Sequence, residues 1–89
     1  MTEEEIERYY TMEPPPVGGP YGTHEWAERQ KWFYARIRRG MEATERGEVY
    51  FDMPGVDQEE ARRTSLASSR HTLAIIEERL LEYSGTISK

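Results

Sequence analysis

Apolar residues are sparse along this chain, and their spacing is helical in three stretches. In the first, Ile6, Tyr9 and Tyr10 are the apolar positions. Thr2 followed by Glu5 makes a capping box, in which the Thr side chain accepts from the third helical amide. The spacing predicts a short helix from about 3 to 10, marginal alone and therefore docked on something larger. Residues 13–22, Glu-Pro-Pro-Pro-Val-Gly-Gly-Pro-Tyr-Gly, end it. Three consecutive prolines force an extended stretch, and Gly-Gly-Pro forces a turn. Tyr21 and Val17 beside so many rigid residues suggest an ordered arm packed on the domain rather than a linker.

Thr23 is placed to cap a second helix, with Glu25 in its first turn. The pattern carries this helix to about 39, or on to 46 before Gly47. Stepping 100° per residue from Trp26 puts Phe33, Ile37 and Gly40 within about 40° of it, with Tyr34 and Met41 to one side. Core packing is the expected role of Trp26 and Phe33. Gly40 on this face either lets another helix come close or breaks the helix. Residues 47–56 connect; Val49, Tyr50 and Phe51 suit a short extended piece, and Pro54-Gly55 a turn.

Asp57 with Glu60 forms a second capping box, opening a third helix over about 58–84 with a stop at Ser84-Gly85. Leu66, Leu73 and Leu80 are spaced by seven, as are Ser69, Ile76 and Tyr83, and Ala67, Ala74 and Leu81. Together they span an apolar arc of roughly 200°. One helix does not cover such an arc; two partners do, one of them from another subunit. Arg70 and Glu77 intrude on the arc. They are expected either to pair between helices or to contact a ligand or line an oligomer pore. The predicted fold is all-α. A short N-terminal helix (1–12) and a Pro-rich arm (13–22) lie across an antiparallel helical hairpin (23–84), followed by a tail (85–89). The whole assembles into a symmetric oligomer.

Composition supports assembly. Val, Ile, Leu and Phe make up 14 of 89 residues, a fraction at which a chain struggles to bury enough surface alone. Ten aromatics argue against disorder. Without Cys there is no disulfide framework or zinc ribbon. The acidic start lacks the apolar stretch of a signal peptide, and no run of about 18 apolar residues exists. A soluble cytoplasmic protein with no membrane association is expected. Five acids and one base fall in residues 1–13, leaving the rest almost neutral, and ten of the twelve bases are Arg. Arg suits a planar, two-pronged grip on phosphate or carboxylate.

No catalytic constellation stands out. The two histidines are His24 and His71. His24 and Glu28 have metal-ligand spacing, but no His-Glu-x-x-His completes it, and a solvated helix start is the simpler reading. An enzyme, a resident cofactor and a metal site are not expected. Arg29, Lys31, Arg36, Arg38 and Arg39 interleave with Trp26, Trp32 and Tyr34, as in single-strand binders. The acidic net charge of -5 opposes that role, and no nucleic-acid polymer is expected as a partner. A small anionic ligand with aromatic bases needs the same residue types in smaller number. Tyr9, Tyr10, Tyr21, Trp26, Arg29 and the Pro14–Pro16 arm are candidates. The alternative is a helical adaptor module that binds another protein through the wide face of the third helix.

The order of features resembles the small bacteriophage proteins that act as cyclic-nucleotide sponges, the anti-CBASS and anti-Thoeris hairpin-domain family. The matching pieces are Tyr10-Thr11-Met12-Glu13-Pro14-Pro15, the helix over 24–39, Met53-Pro54, and Ala61-Arg62-Arg63-Thr64-Ser65-Leu66-Ala67 with the helix that follows. The resemblance implies a hairpin that assembles into a homo-oligomer, often a hexamer. It implies immune evasion in the host cytoplasm by binding cyclic di- or trinucleotides, or cyclic ADP-ribose type signals, without cleaving them. It places the ligand at Tyr10 or Met12, beside Pro14 and Pro15, and at Arg29; Trp26 and Arg36 are further candidates from residue type alone. A second, trinucleotide site at a three-fold axis would fall to Arg70 or Arg79. Where the family often has an aromatic residue and His before Pro-Pro, this chain has Met12 and Glu13. Its arm is also about three residues longer.

Overall fold

A computed structural model describes residues 1–16 and 19–87. Three helices follow one another: α1 (Glu3–Thr11), α2 (His24–Glu45) and α3 (Gln58–Ile87). The Thr2–Glu5 capping box forms in both directions, and the Thr23 hydroxyl accepts from the Trp26 amide. Asp57 Oδ1 accepts from the amides of Glu59 and Glu60, so the acid caps α3 by itself. α2 runs through Gly40 and ends in a Schellman motif. The Gly47 amide donates to the Thr44 carbonyl and the Glu48 amide to that of Ala43, with Gly47 at a φ of 77°. Ser84-Gly85 does not stop α3. The described glycines in the left-handed conformation are Gly22, Gly47 and Gly55. Gly85 is not among them, so the helix passes through it and takes in the first part of the expected tail.

The connection between α2 and α3 contains no strand among the described residues. The Gln58 side chain takes the place of a partner strand: its amide nitrogen donates to the Phe51 carbonyl and its oxygen accepts from the Phe51 amide. Pro54 and Gly55 then make a type II turn, with Gly55 at a φ of 77° and the Val56 amide bonded to the Met53 carbonyl. Within the arm, Val17 and Gly18 lie outside the described residues.

α2 is the central element and packs on both other helices. Tyr34 bonds Glu77, Arg70 pairs with Glu45, and Trp26 meets Tyr83. As the α2 position rises the α3 position falls, so the pair is antiparallel. Tyr9 with Glu28 and Arg39 with Glu3 give the same order for α1 on α2. The molecule is a rod, 51 × 23 × 23 Å. Its radius of gyration of 15.2 Å exceeds the ~12 Å of a compact chain this long.

The core comprises Ile6, Tyr9, Tyr34, Ala35, Leu73 and Ile76, flanked by Trp32, Ile37, Met41 and Leu80. The two tyrosines could not be buried without partners for their hydroxyls. Tyr9 donates to Glu28 at 2.7 Å, and Tyr34 donates to Glu77. Burial raises both phenol pKa values, and the neighbouring carboxylates raise them further. Glu77 is thus a hydrogen-bond acceptor between helices, and Arg70 makes an inter-helix ion pair with Glu45 at 3.7 Å.

The buried face of α2 is turned from its expected centre. Ala27 and Tyr34 are buried and Met41 half-buried, on a row spaced by seven, while Phe33 is 38% exposed. Tyr34 carries a hydroxyl that reaches Glu77, and Ala35 on another side lets α1 come close. Phe33 lies about 100° round α2 from Tyr34, where it meets the Trp32 ring and the Arg29 guanidinium. Gly40 is exposed, and a Cβ built there would meet nothing within 4 Å, so it marks no close approach. On α3, Leu73 and Ile76 are buried, whereas Ala67, Ala74 and Leu81 are exposed, Leu81 at 73%.

A charged cluster fastens α1 to α2. Arg39 reaches Glu3, Glu7 and Glu42, and Arg38 reaches Glu3 and Glu42. Partial burial pushes the Glu42 carboxyl up, but the Arg39 and Arg38 guanidiniums outweigh it and hold its pKa below the usual value. Its stabilising contribution is present above the unfolded carboxyl pKa and is lost as pH falls. Stability should therefore drop more steeply from about pH 5 to about pH 3 in the native chain than in Glu42→Gln, as measured by urea unfolding. Ile6→Ala should cost about 2–5 kcal/mol in the same assay, because Ile6 is 1% exposed and anchors α1.

Candidate functional site

Stepping 100° per residue along α2 from Trp26 at zero, α3 covers the side near 80° and α1 the side near 180°. The remaining side carries Glu25, Arg29, Phe33, Arg36 and Gly40, with Trp32 at its edge against α1. Two of its side chains are cations that the fold does not neutralise. Arg38 and Arg39 are taken up by Glu3, Glu7 and Glu42, and Lys31 lies 4.0 Å from Glu28. Among the described residues no carboxylate lies within ion-pair distance of Arg29 or Arg36.

Both guanidiniums rest on aromatic rings instead. Arg36 lies 4.6 Å from the Trp32 ring centre and 5.7 Å from that of Tyr10. Arg29 lies 5.1 Å from the Phe33 centre and 5.8 Å from that of Trp32. Such contacts hold a cation in place, at about 0.5–1 kcal/mol each when exposed, without cancelling its charge. Arg29 also donates from Nη1 to the Pro15 carbonyl at 2.8 Å, which ties the proline arm to α2. Trp32 meets Phe33 edge-on at 5.1 Å, and its Nε1 is buried without a hydrogen-bond partner. Two cations and three aromatic rings therefore converge on one surface.

Of the residues singled out from sequence, Tyr10, Pro15, Arg29 and Arg36 meet here. Met12 caps the end of α1 and lines an adjoining slot of about 280 Å³ with Pro15, Pro16, His24, Glu25 and Glu28. Pro14 is exposed on the arm. Trp26 is not part of this surface. It packs on Tyr21 at 4.5 Å and on Tyr83 at 6.0 Å, toward α3. Tyr21 in turn donates to Glu82, and Tyr9 is a core residue. Arg70 pairs with Glu45, which lies about 24 Å along α2 from Arg29 at 1.5 Å per residue, so it belongs to the other end of the rod.

Sequence reasoning does not assign Trp32 or Phe33 to a small-ligand site: it names Trp32 only as an aromatic interleaved with the basic run, and expects Phe33 in the core. Arg29 and Arg36 flank Trp32 at minus three and plus four, the helical neighbour spacing, and that spacing was the available signal. His24 Nε2 lies 3.8 Å from Glu28, yet no described group of three or more His, Asp or Glu could hold a metal ion. No described helix is long and apolar enough to cross a membrane. No family model, curated protein or solved structure matches this chain.

An unneutralised cationic surface concentrates anions. In a Trp26→Phe background, iodide should quench Trp32 fluorescence more strongly than caesium does. Arg36→Gln should lower the iodide effect by about twofold. Equal quenching by both ions would contradict an exposed positive field over Trp32.

Proposed function

We propose that this protein binds and sequesters cyclic nucleotide second messengers without cleaving them, as a phage immune-evasion protein acting in the host cytoplasm. The observation that carries the reading is the pair Arg29 and Arg36, free of carboxylates and laid on the rings of Tyr10, Trp32 and Phe33 beside the proline arm. Guanidiniums grip phosphates, and ring faces stack bases. The mechanism is mass action: an abundant binder holds the free messenger below the level a host effector needs. The order of sequence motifs resembling the hairpin-domain sponges supports the same reading. The surface is open, so retention calls for a second wall, and a homo-oligomer, with a hexamer favoured, supplies it. The exposed row Ala67, Ala74 and Leu81 is suited to joining copies.

That same row favours the second reading, a helical adaptor that docks another protein on α3, with Leu81 at 73% exposure as its anchor. Ligand-induced thermal shifts separate the two. A messenger that binds only the folded state contributes about 2.7 kcal/mol at a hundredfold excess over Kd, enough to raise Tm by about 10 °C or more in a domain this small. The expected result is such a rise with one class among cyclic dinucleotides, cyclic trinucleotides and cyclic ADP-ribose isomers. It should vanish in Arg29→Ala/Arg36→Ala, and intact ligand should be recovered after heat denaturation. No rise across the panel favours the adaptor, and a hydrolysed ligand refutes sequestration.

A further inference from the structure

We infer that Tyr21, Tyr83 and Glu82 form a second binding site, an aromatic cage for the methylated ammonium head of a small molecule. It lies on the α3 side of α2, outside the surface that carries Arg29 and Arg36, and does not depend on messenger binding. A small cavity of about 130 Å³ is enclosed by Tyr21, Gly22, Glu82 and Tyr83. Whole-ligand pockets run from about 300 to 1,000 Å³, so this one takes one compact group rather than a nucleotide. At roughly 30 Å³ for each water-sized unit, it holds about four heavy atoms, the size of a trimethylammonium head.

Each wall is fixed by a different segment. Residues Pro20 to Thr23 make a type II turn, with the Thr23 amide bonded to the Pro20 carbonyl at 3.1 Å and Gly22 at a φ of 90°. The turn sets Tyr21 at its corner, and the Tyr21 hydroxyl donates to Glu82 Oε2 at 3.0 Å. Trp26, in the first turn of α2, meets the Tyr21 ring at 4.5 Å and the Tyr83 ring at 6.0 Å, both tilted. Tyr83 and Glu82 are neighbours on α3. Tyr21 is 61% exposed, so these contacts hold in place an aromatic ring that the core does not need. A ring already held loses little freedom when a ligand binds.

The walls have the chemistry of a cation site. Aromatic rings attract cations through their quadrupole, more strongly where water is excluded. The local field is negative as well. The hydrogen bond to Glu82 raises the Tyr21 phenol pKa; the charges of Glu82 and Glu78 add to the rise, and Arg79 opposes it. Such a field repels a phosphate, which sets this site apart from the one at Arg29 and Arg36. A primary ammonium is compact and strongly hydrated, so it is held back by its own water. A methylated ammonium carries the same charge under an apolar surface, which suits ring walls with a carboxylate beside them.

An NMR titration of the whole chain with choline tests this. Two controls divide its features: 3,3-dimethylbutan-1-ol has the shape without the charge, and ethanolamine the charge without the methyl groups. The Trp26 indole and the ring signals of Tyr21 and Tyr83 should move with choline while the Trp32 indole stays in place. Choline should bind at least about tenfold tighter than either control. Tyr21→Ala, which removes an exposed ring, should weaken choline by at least about tenfold, and Glu82→Gln should narrow its advantage over the alcohol to within about threefold. Phosphocholine, the lipid form of the head, should bind more weakly than choline because its phosphate meets the same negative field. Equal binding of choline and the alcohol, no movement at Trp26, affinities unchanged in both variants, or tighter binding of phosphocholine overturns the assignment. Messenger binding is decided separately by the thermal-shift panel.

Discussion

The structure depends on α2 being shared. A 22-residue helix with few strongly apolar residues packs on α1 along one side and on α3 along another. Neither contact is a purely apolar seam. Each is closed by a tyrosine whose ring is buried and whose hydroxyl is satisfied by a carboxylate on the facing helix: Tyr9 with Glu28, Tyr34 with Glu77. Small residues, Ala27 and Ala35, let the neighbours approach. Replacing leucine-rich seams with tyrosine–carboxylate pairs explains how a chain this polar holds three helices together.

Sharing α2 between two neighbours also decides what is left over. A helix flanked on two sides has one side free, and here that side gathers Glu25, Arg29, Phe33 and Arg36, with Trp32 at its margin. Arg38 and Arg39 occupy the α1 side and are neutralised there by Glu3, Glu7 and Glu42. The acidic N-terminal helix thus cancels one half of a basic run and leaves the other half charged. The proline arm completes the arrangement, since its rigid backbone brings the Pro15 carbonyl to Arg29 at the point where α1 gives way to α2.

Much of the architecture was legible in the residues. Caps at Thr2, Thr23 and Asp57 each mark a real helix start, because short polar side chains before an apolar periodicity have one strong local use. The end of α3 was less legible. Ser-Gly stops a helix only if the glycine turns left-handed, and nothing local at Gly85 forces that. The rotation of α2 was not legible either. Periodicity weights Phe33 above Tyr34 as a core residue, but the Glu77 acceptor that makes Tyr34 buriable is 43 positions away. At the site, Tyr10, Pro15, Arg29 and Arg36 could be named from residue type, whereas which arginines stay uncompensated depends on where α1 docks. That docking separates Arg36 from Arg39, and it removes Tyr9 to the core while leaving Tyr10 at the surface.

The central claim is that Arg29, Arg36 and Trp32 act together on one anionic ligand. Nitrogen-15 NMR of the arginine Nε–H and indole Nε1–H groups, during titration with a cyclic dinucleotide, tests it most directly. The account predicts that the signals of Arg29, Arg36 and Trp32 shift together along one binding curve while those of Arg38 and Arg39 stay in place. Shifts confined to Arg38 and Arg39, or no movement at Trp32 under saturating ligand, would contradict it.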